Sequence, residues 1–455
     1  SQGLLNQTIE IDGKKINYTV TDRGLFIFKN IQKYYFSLNW YNFILKLDIN
    51  KTENLDIEQI KTFHLKTINH LNTNKNDDPK SNEFYLRKQL NGIIISPIVS
   101  ILGFNNFLES NKSLKHFANK NQFNKILCHF LTIEGWLDNN YNFTKDGDYA
   151  LNICSAYGVT ISYLQTFLNI DNLLFHNPRI LRINTNLKSE IHVNRKMNVW
   201  GSGGSHKTYF KFIDKIIIDI FNAPLDNQPI GIADMGCGNG EFLEHVHSLI
   251  LNTYRGKNLT KYPLYLVGAD FNQDALDATK NKLTRKKINH HLIKADISNP
   301  DDYAKSLKNK FKLDLKDFLN IRSFLDHNRI FSNPINTKYH KSNSTCSFSY
   351  QGKWIPNYIL ENNLIEHFKK WKPYVKKHGI IILELHSISP ELNAKNIGNS
   401  LSTPYDATHG YSDQFIIEID RFHYCLKKSN LKIEKDKFKK FPNNELATVS
   451  INYIK

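Results

Sequence analysis

The chain has 455 residues, enough for two or three domains or for one large domain with an accessory one. Hydrophobic residues make up 40% of it and aromatic residues 12%, so cores can form and wholesale disorder is excluded. The net charge of +17 admits nucleic acid, an anionic membrane or an acidic carrier as a partner, but the basic residues are spread along the chain and select none of these.

Targeting and redox signals favour a cytoplasmic location. No run of about 18 apolar residues occurs, so no membrane span is expected, and the first residues lack the pattern of a signal peptide. The cysteines form no C-x-x-C pair, which favours buried thiols in a reduced compartment. They are Cys128, Cys154, Cys237, Cys346 and Cys425.

The first part of the chain is expected to hold two regions. Residues 1–95 mix short alternating runs with helical ones and are predicted to form a lid or a partner-binding region. Residues 96–185 contain helix, turn, helix and a short hairpin around "NNYNF", the order of a winged-helix unit. Such a unit can contact DNA, or it can form a homodimer or a lid beside an enzyme core. Segment 120–134 is apolar at helical spacing, which favours the second role and argues against nucleic acid as a partner.

Residues 186–455 alternate strand and helix to the end of the chain. Buried strands such as "IGIADMG", "YPLYLVGAD" and "IIILELH" are separated by amphipathic helices, and two strands close the sequence. This pattern predicts a doubly wound, Rossmann-like α/β domain with a seven-stranded sheet.

A glycine-rich loop follows the first strand of this domain. In "GIADMGCGNGEF", Gly236, Gly238 and Gly240 let the backbone turn tightly and approach a ligand. The spacing is G-x-G-x-G rather than the dinucleotide G-x-G-x-x-G, and the Gly-Lys-Ser/Thr ending of a phosphate-binding loop is missing. With Asp234 at the strand end, the loop favours a ligand with a cationic or neutral head.

This order of residues resembles the class I S-adenosylmethionine (SAM) methyltransferases. Asp270 ends the second strand in "VGADFN", where the family places a carboxylate on the ribose hydroxyls, and Asp296 ends the third in "IKADIS", where it faces the adenine amine. The resemblance puts Asp234 near the methionine ammonium. It implies SAM as cofactor, and the expected contacts also include the strand-end residues Phe271, Ile297 and Ser323.

The acceptor must be inferred from other segments. The Asn/Asp-Pro-Pro-Tyr motif of nucleic-acid amine methylation is missing after the fourth strand, where the chain has "IRSFLDHNRIF". The carboxylate cluster of Mg²⁺-dependent catechol-type enzymes is not evident. Residues 193–210, "VNRKMNVWGSGGSHKTYF", are either a flexible linker or a second ligand-facing loop in which Trp200 and Gly201 contact SAM.

Segments "MNVWGSGGSH", "RSFLDHNR" and "DATHGYSDQ" together resemble the mononuclear iron- or manganese-dependent C-methyltransferase domains of polyketide synthase loading modules. The resemblance covers about residues 100–455. It implies that His409 and Gln414 bind an Fe or Mn ion beside SAM. His327 is our first candidate for the base, oriented by Asp326, which could instead be a further ligand, and His386 is the second candidate.

The expected function is therefore SAM-dependent methylation of the α-carbon of an acyl thioester or a related β-dicarbonyl, as in polyketide biosynthesis. A malonyl group on an acidic acyl carrier protein would suit a basic surface. Two alternatives stay open: a metal-independent O- or N-methyltransferase acting on a small molecule with His327 as base, and a DNA-binding winged-helix protein with a SAM domain.

Overall fold

The computed structural model describes residues 2–9, 16–34, 40, 57–73, 78, 80–105, 113–176 and 192–455. The chain forms two compact units, one made mainly of Tyr18–Lys207 and the other mainly of Thr208–Lys455. None of the described helices is both long enough and apolar enough to cross a membrane.

The first unit is mostly helical. Two short strands, β1 (Leu5–Ile9) and β2 (Ile16–Val20), pair near the start of the chain. The helices that follow are α1 (Asp22–Asn30), α2 (Ile57–Thr73), α3 (Asn82–Phe104), α4 (Lys115–Ala118), α5 (Gln122–Ile133), α6 (Lys145–Asn152), α7 (Cys154–Ser162), α8 (Leu164–Leu168), α9 (Ile170–Phe175) and α10 (Arg195–Phe221).

Helix α5 lies at the centre of this unit. The Asn121 side chain caps it by accepting a hydrogen bond from the Asn124 backbone N–H. Its apolar face, including Phe123 and Phe130, is fully buried. The expectation that segment 120–134 is buried is therefore confirmed. A turn after α5 leads to an isolated bridge between Leu137 and Phe143, the short wing that follows the second helix of the unit.

The glycine stretch at 193–210 is helical, so the prediction of a linker or loop there is wrong. Residues 195–210 lie within α10, and Gly201 serves close packing of this helix against α7. A Cβ built at Gly158 would lie 2.7 Å from the ring of Trp200, and one built at Gly201 would lie 2.6 Å from the backbone nitrogen of Val159. Only residues without a Cβ allow this approach of α7 and α10.

The second unit is built on one seven-stranded sheet. Its strand order is β10-β11-β9-β6-β3-β4-β5, with β11 antiparallel to both neighbours and the other pairs parallel. The strands, including the separate hairpin β7–β8, are β3 (Gly231–Met235), β4 (Tyr265–Asp270), β5 (His291–Lys294), β6 (Leu319–Ser323), β7 (Phe348–Tyr350), β8 (Lys353–Ile355), β9 (Ile380–Leu385), β10 (Ile433–Phe441) and β11 (Val449–Ile454).

Helices cover both faces of this sheet, as the alternating pattern predicts. They are α11 (Glu241–Leu251), α12 (Gln273–Arg285), α13 (Pro300–Phe311), α14 (Asn357–Val375), α15 (Pro390–Lys395), α16 (Ser402–Gly410) and α17 (Ile419–Lys428). Ile380 and Ile382 of β9 belong to the core shared with α14 and α17, whereas Ile381 and Leu383 belong to the core shared with α11. The predicted doubly wound, seven-stranded sheet is confirmed.

Candidate active site

The glycine loop after β3 is shaped by its neighbour β4. The backbone N–H groups of Gly236 and Cys237 both donate to the carbonyl of Ala269, at 2.7 and 3.0 Å. Gly236 and Gly238 have φ of 84° and 55°, in the left-handed region that favours glycine. A Cβ at Gly238 would meet nothing within 4 Å, so the loop faces open space there.

Two carboxylates lie at this loop. Asp270 ends β4 and accepts hydrogen bonds from the Gly238 and Asn272 backbone N–H groups, at 3.1 and 2.9 Å. Asp234 lies on β3 and is only 3% exposed. Burial first, and then the Asp270 carboxylate, raise the pKa of Asp234 to about 7. The site is therefore one where a bound cation would be stabilised.

The other predicted SAM contacts occupy four places. Asp296 follows β5, where its carboxylate accepts from the Ser298 backbone N–H, and the adjacent Ile297 is buried. Phe271 is 65% exposed directly after β4, and Ser323 ends β6. Gly240, with φ of 76°, caps α11. All of these lie at the carboxyl ends of parallel strands in the second unit, the edge where ligands bind in such sheets.

Trp200 and Gly201 belong to the first unit. The Trp200 ring packs edge-on against Phe104, at 5.8 Å between ring centroids. Their role as SAM contacts stays a prediction.

A second cluster forms where β6 and β9 end. His327 lies on a 3-10 turn after β6 and is 6% exposed. Its Nδ1 is 2.5 Å from Oε1 of Glu384, a buried residue of β9. Because the carboxylate only accepts, Nδ1 carries a proton, so in the neutral ring the lone pair is on Nε2. His327 is thus an oriented imidazole with a free basic nitrogen.

The last turn of α16, which holds His409, and the loop after it, which holds Gln414, lie next to this histidine. The rings of His327 and His409 meet edge to face, with centroids 5.0 Å apart. The Phe415 N–H donates to the His327 carbonyl at 2.7 Å, and the Gln414 N–H donates to the His409 carbonyl at 3.0 Å. Sequence positions 327, 409 and 414 are therefore assembled by backbone hydrogen bonds.

Asp326 does not orient His327, and that expectation is corrected. Its carboxylate is 2.8 Å from Nε of Arg322 and 2.9 Å from Nε2 of His367, both fully or almost fully buried. Burial by itself would raise the pKa of Asp326, but Arg322 and His367 hold it below its ordinary value. Asp326 points into the core because two buried donors, Arg322 and His367, bond to its carboxylate. Glu384, rather than Asp326, orients His327.

Sequence reasoning missed Glu384, although a signal was present. Strand β9 is buried along its whole length, and Glu384 is the one charged residue in "IIILEL". A carboxylate there needs a partner, because an unpaired buried charge is costly. Arg322 on β6 shows the same signal, since it is buried in "LNIRS" and lies over the Trp371 ring at 4.7 Å.

His386, the second candidate base, has both ring nitrogens in hydrogen bonds. Nδ1 contacts the Ile417 carbonyl at 2.9 Å and Nε2 contacts the Ser450 hydroxyl at 2.7 Å. Burial lowers its pKa to about 3. His386 is therefore a poor candidate for the base, and His327 is the better one.

Comparison with known proteins decides the family. A family model described as the AprA MT2-like domain, a methyltransferase domain, matches residues 190–452, which is more than half of the chain. The chain belongs to this family. A second model, the AprA winged helix domain, matches residues 91–177 and confirms the predicted winged-helix unit. The protein is a SAM-dependent methyltransferase.

Solved structures similar to this methyltransferase are distant in sequence, and no curated protein sequence matches it. The mitomycin 7-O-methyltransferase MmcR has a TM-score of 0.48 at 10% identity, covering 82% of this chain and 97% of its own. A candidate O-methyltransferase from Nostoc punctiforme gives 0.46 at 13%, covering 81% and 97%. An O-methyltransferase family protein from Burkholderia thailandensis gives 0.43 at 11%, covering 81% and 97%.

The residues at the glycine loop fit SAM. The open space in front of Gly238 admits a ligand against the backbone, and Asp234 and Asp270 offer negative charge to a sulfonium or ammonium group. Asp270 already accepts two backbone hydrogen bonds, which fix its carboxylate for ligand hydroxyls. When bound, SAM supplies an electrophilic methyl group to the methyltransferase.

Fewer residues are placed to bind a metal ion than to bind SAM. The part of the chain that the structure describes contains no cluster of three His, Cys, Asp or Glu side chains suited to an ion. His409 does suit a ligand role, because its Nδ1 is 2.7 Å from the Tyr405 carbonyl and so carries the proton, leaving the lone pair on Nε2. Burial and then His327 lower its pKa to about 3, so the ring is neutral. His409 and Gln414 would supply an imidazole and an amide.

The raised pKa of Asp234 predicts a pH dependence of SAM binding. Below pH 7 the carboxyl is protonated in the free methyltransferase and must lose its proton to face a cation. SAM affinity should therefore fall as pH drops, by up to about tenfold per pH unit. Calorimetry between about pH 5.5 and 7, below the ordinary pKa of an α-amino group, measures this.

Asp234→Asn should bind SAM more weakly and with a flat pH profile over that range. Asp302→Asn, at an exposed position on α13, serves as the control and should keep the wild-type slope. A wild-type affinity that does not change with pH would contradict a raised pKa at Asp234.

Proposed function

We propose that this methyltransferase methylates a carbon acid, namely the α-carbon of an acyl thioester such as malonyl on an acidic acyl carrier protein, or of a related β-dicarbonyl. The observation that carries the proposal is the His327 imidazole held by Glu384 beside His409. A carbon acid is a poor nucleophile until it loses its proton, so its methylation needs a well-placed base. In the neutral tautomer that Glu384 selects, Nε2 of His327 carries the lone pair that this step uses.

The Glu384 carboxylate supports His327 in two ways. It accepts the Nδ1 proton at 2.5 Å, which fixes the tautomer and the ring orientation. After Nε2 takes the substrate proton, the same carboxylate stabilises the imidazolium that forms. Because Glu384 is buried, water does not screen this interaction.

We include an ion at His409 and Gln414 in the proposal. When bound, an Fe or Mn ion would supply Lewis acidity to the carbonyl oxygens of the acceptor and so favour the enolate. His409 contributes a neutral nitrogen and Gln414 a neutral oxygen, and neither reduces the charge of the ion. A mixed nitrogen and oxygen set suits these metals better than it suits a zinc site rich in cysteine.

His409→Ala tests the metal part of the proposal. The variant should lose bound iron or manganese, measured by elemental analysis, and lose methyl transfer to an acetoacetyl thioester, while calorimetry finds SAM affinity unchanged. His116→Ala, at an exposed position in the first unit, is the matched control and should keep both. Equal metal content in the two variants would rule out His409 as a ligand.

A second candidate function is O-methylation without a metal. It is favoured by the His327–Glu384 pair, which is complete in itself and could deprotonate a hydroxyl group as readily as a carbon acid. Under that alternative a chelator leaves the rate unchanged and the His409→Ala variant stays active. The chelator and the variant therefore separate the two functions in one set of assays.

A further inference from the structure

A cavity of about 500 Å³ lies beside the hairpin β7–β8. Neither His327 nor the glycine loop lines it. One wall comes from the segment after the 3-10 turn of His327 and includes Phe331 and Pro334. The other comes from the hairpin residues Tyr350, Trp354 and Ile355. Its size falls within the range of small-molecule sites, and aromatic and aliphatic groups dominate its walls.

The cavity adjoins the His327 cluster through one aromatic side chain. Phe331 and Tyr350 line the cavity, and both pack on Phe415, with ring centroids 5.9 and 6.4 Å from it. The backbone N–H of Phe415 is bonded to the His327 carbonyl. Phe415 therefore links the wall of the cavity to the backbone of the candidate base.

Hydrogen bonds to α14 fix the segment 332–336, in which Ser332, Asn333 and Pro334 line the cavity. The Glu366 carboxylate accepts the backbone N–H groups of Ile335 and Asn336, at 3.1 and 2.9 Å. The Asn363 amide donates to the Ser332 carbonyl at 2.7 Å, and its oxygen accepts from Arg329. These bonds hold the cavity open without a ligand.

On its other side, the hairpin is bonded to the loop after α16. The backbone N–H of Gln351, at the hairpin turn, donates to the Asp413 carboxylate at 3.0 Å, next to Gln414. In the hairpin, the indole nitrogen of Trp354 is buried and has no hydrogen-bond partner among the residues that the structure describes.

We propose that this cavity binds the acyl chain of the methyl acceptor, so that the hairpin β7–β8 selects acceptors by chain length. The inference rests on the proposed function, because it takes the acceptor to be an acyl thioester whose α-carbon faces His327. Apolar walls suit a hydrocarbon chain, and Phe331, only four residues after His327, places one of these walls near the base. Lys353 lies on the exposed face of the hairpin at the cavity rim.

Filling the cavity in the full-length protein tests the proposal. Thr337 is exposed and lines the cavity, whereas Ile335 is 96% exposed and does not line it. Thr337→Trp should weaken binding of octanoyl-N-acetylcysteamine by about tenfold or more, since excluding even two methylenes from an apolar site has that effect. Ile335→Trp, the matched control, should bind like the wild type. Calorimetry gives the affinities, and thermal unfolding checks that both variants fold.

The two parts of the account fail in different ways. If Thr337→Trp weakens octanoyl binding but no acetoacetyl or 3-oxooctanoyl thioester is methylated, the cavity is an acyl-binding site but the proposed function falls, and with it the role of the cavity in acceptor choice. If acetoacetyl thioester is methylated but Thr337→Trp binds and methylates the longer chain like the wild type, the cavity inference is overturned. Failure of the wild type to bind octanoyl-N-acetylcysteamine also overturns it.

Discussion

His327→Gln is expected to lower the rate of methyl transfer by about 100- to 10,000-fold, the usual contribution of a positioned general base. The glutamine keeps a polar group of similar length but cannot take up a proton. SAM affinity should stay at the wild-type value, because the two carboxylates at the glycine loop, Asp234 and Asp270, lie on β3 and β4 rather than beside His327. Single-turnover rates with an acetoacetyl thioester, together with SAM titration, measure both effects.

Glu384→Gln separates a base from a merely structural histidine. The amide can accept from Nδ1 but carries no charge, so the imidazolium loses its stabilisation and the pH profile of the rate should shift along with the loss of activity. His116→Gln, on an exposed surface, is the control. Wild-type rates for His327→Gln would show that another group takes the proton.

Asp326→Ala is expected to lower the free energy of unfolding by about 3–5 kcal/mol, the cost of breaking a buried ion pair. Its carboxylate is the partner of the fully buried Arg322, and its backbone carbonyl accepts from the guanidinium of buried Arg329 at 2.8 Å. Removing the carboxylate leaves two buried cations without their shared counter-charge. It also frees His367, whose pKa burial lowers to about 4.

Urea unfolding of Asp326→Ala checks this expectation, with Asp436→Ala on the exposed edge strand β10 as a control that should change stability by less than about 0.5 kcal/mol. Rates per folded molecule should fall much less than in His327→Gln. If Asp326→Ala keeps its stability and loses activity instead, Asp326 is a catalytic residue, as the sequence alone predicted.

The fold could be predicted because its signals are local. Alternating buried strands and amphipathic helices are visible in segments such as "YPLYLVGAD", and the acidic strand ends Asp234, Asp270 and Asp296 follow in order along the chain. The position of His327, His409 and Gln414 in one cluster could also be predicted, but only through a resemblance, since 81 residues of other structure separate the first two.

Two features could not be predicted from local sequence patterns. Gly201, Gly203 and Gly204 suggest a loop from composition, yet the segment is helical, and Gly201 is needed there because α7 approaches its backbone closely. The partner of His327 is set by which strands become neighbours, so the adjacent Asp326 was expected and Glu384, 57 positions away, was missed. Pairings of this kind depend on sheet order, which no single segment encodes.

The position of the transferred methyl group tests the central claim most directly. Wild-type protein supplied with SAM labelled with carbon-13 in the methyl group, an acetoacetyl thioester and iron or manganese should give a product whose labelled methyl is bonded to the α-carbon in the carbon and proton NMR spectra. A label on oxygen, or equal incorporation by His327→Gln, would contradict carbon methylation with His327 as base.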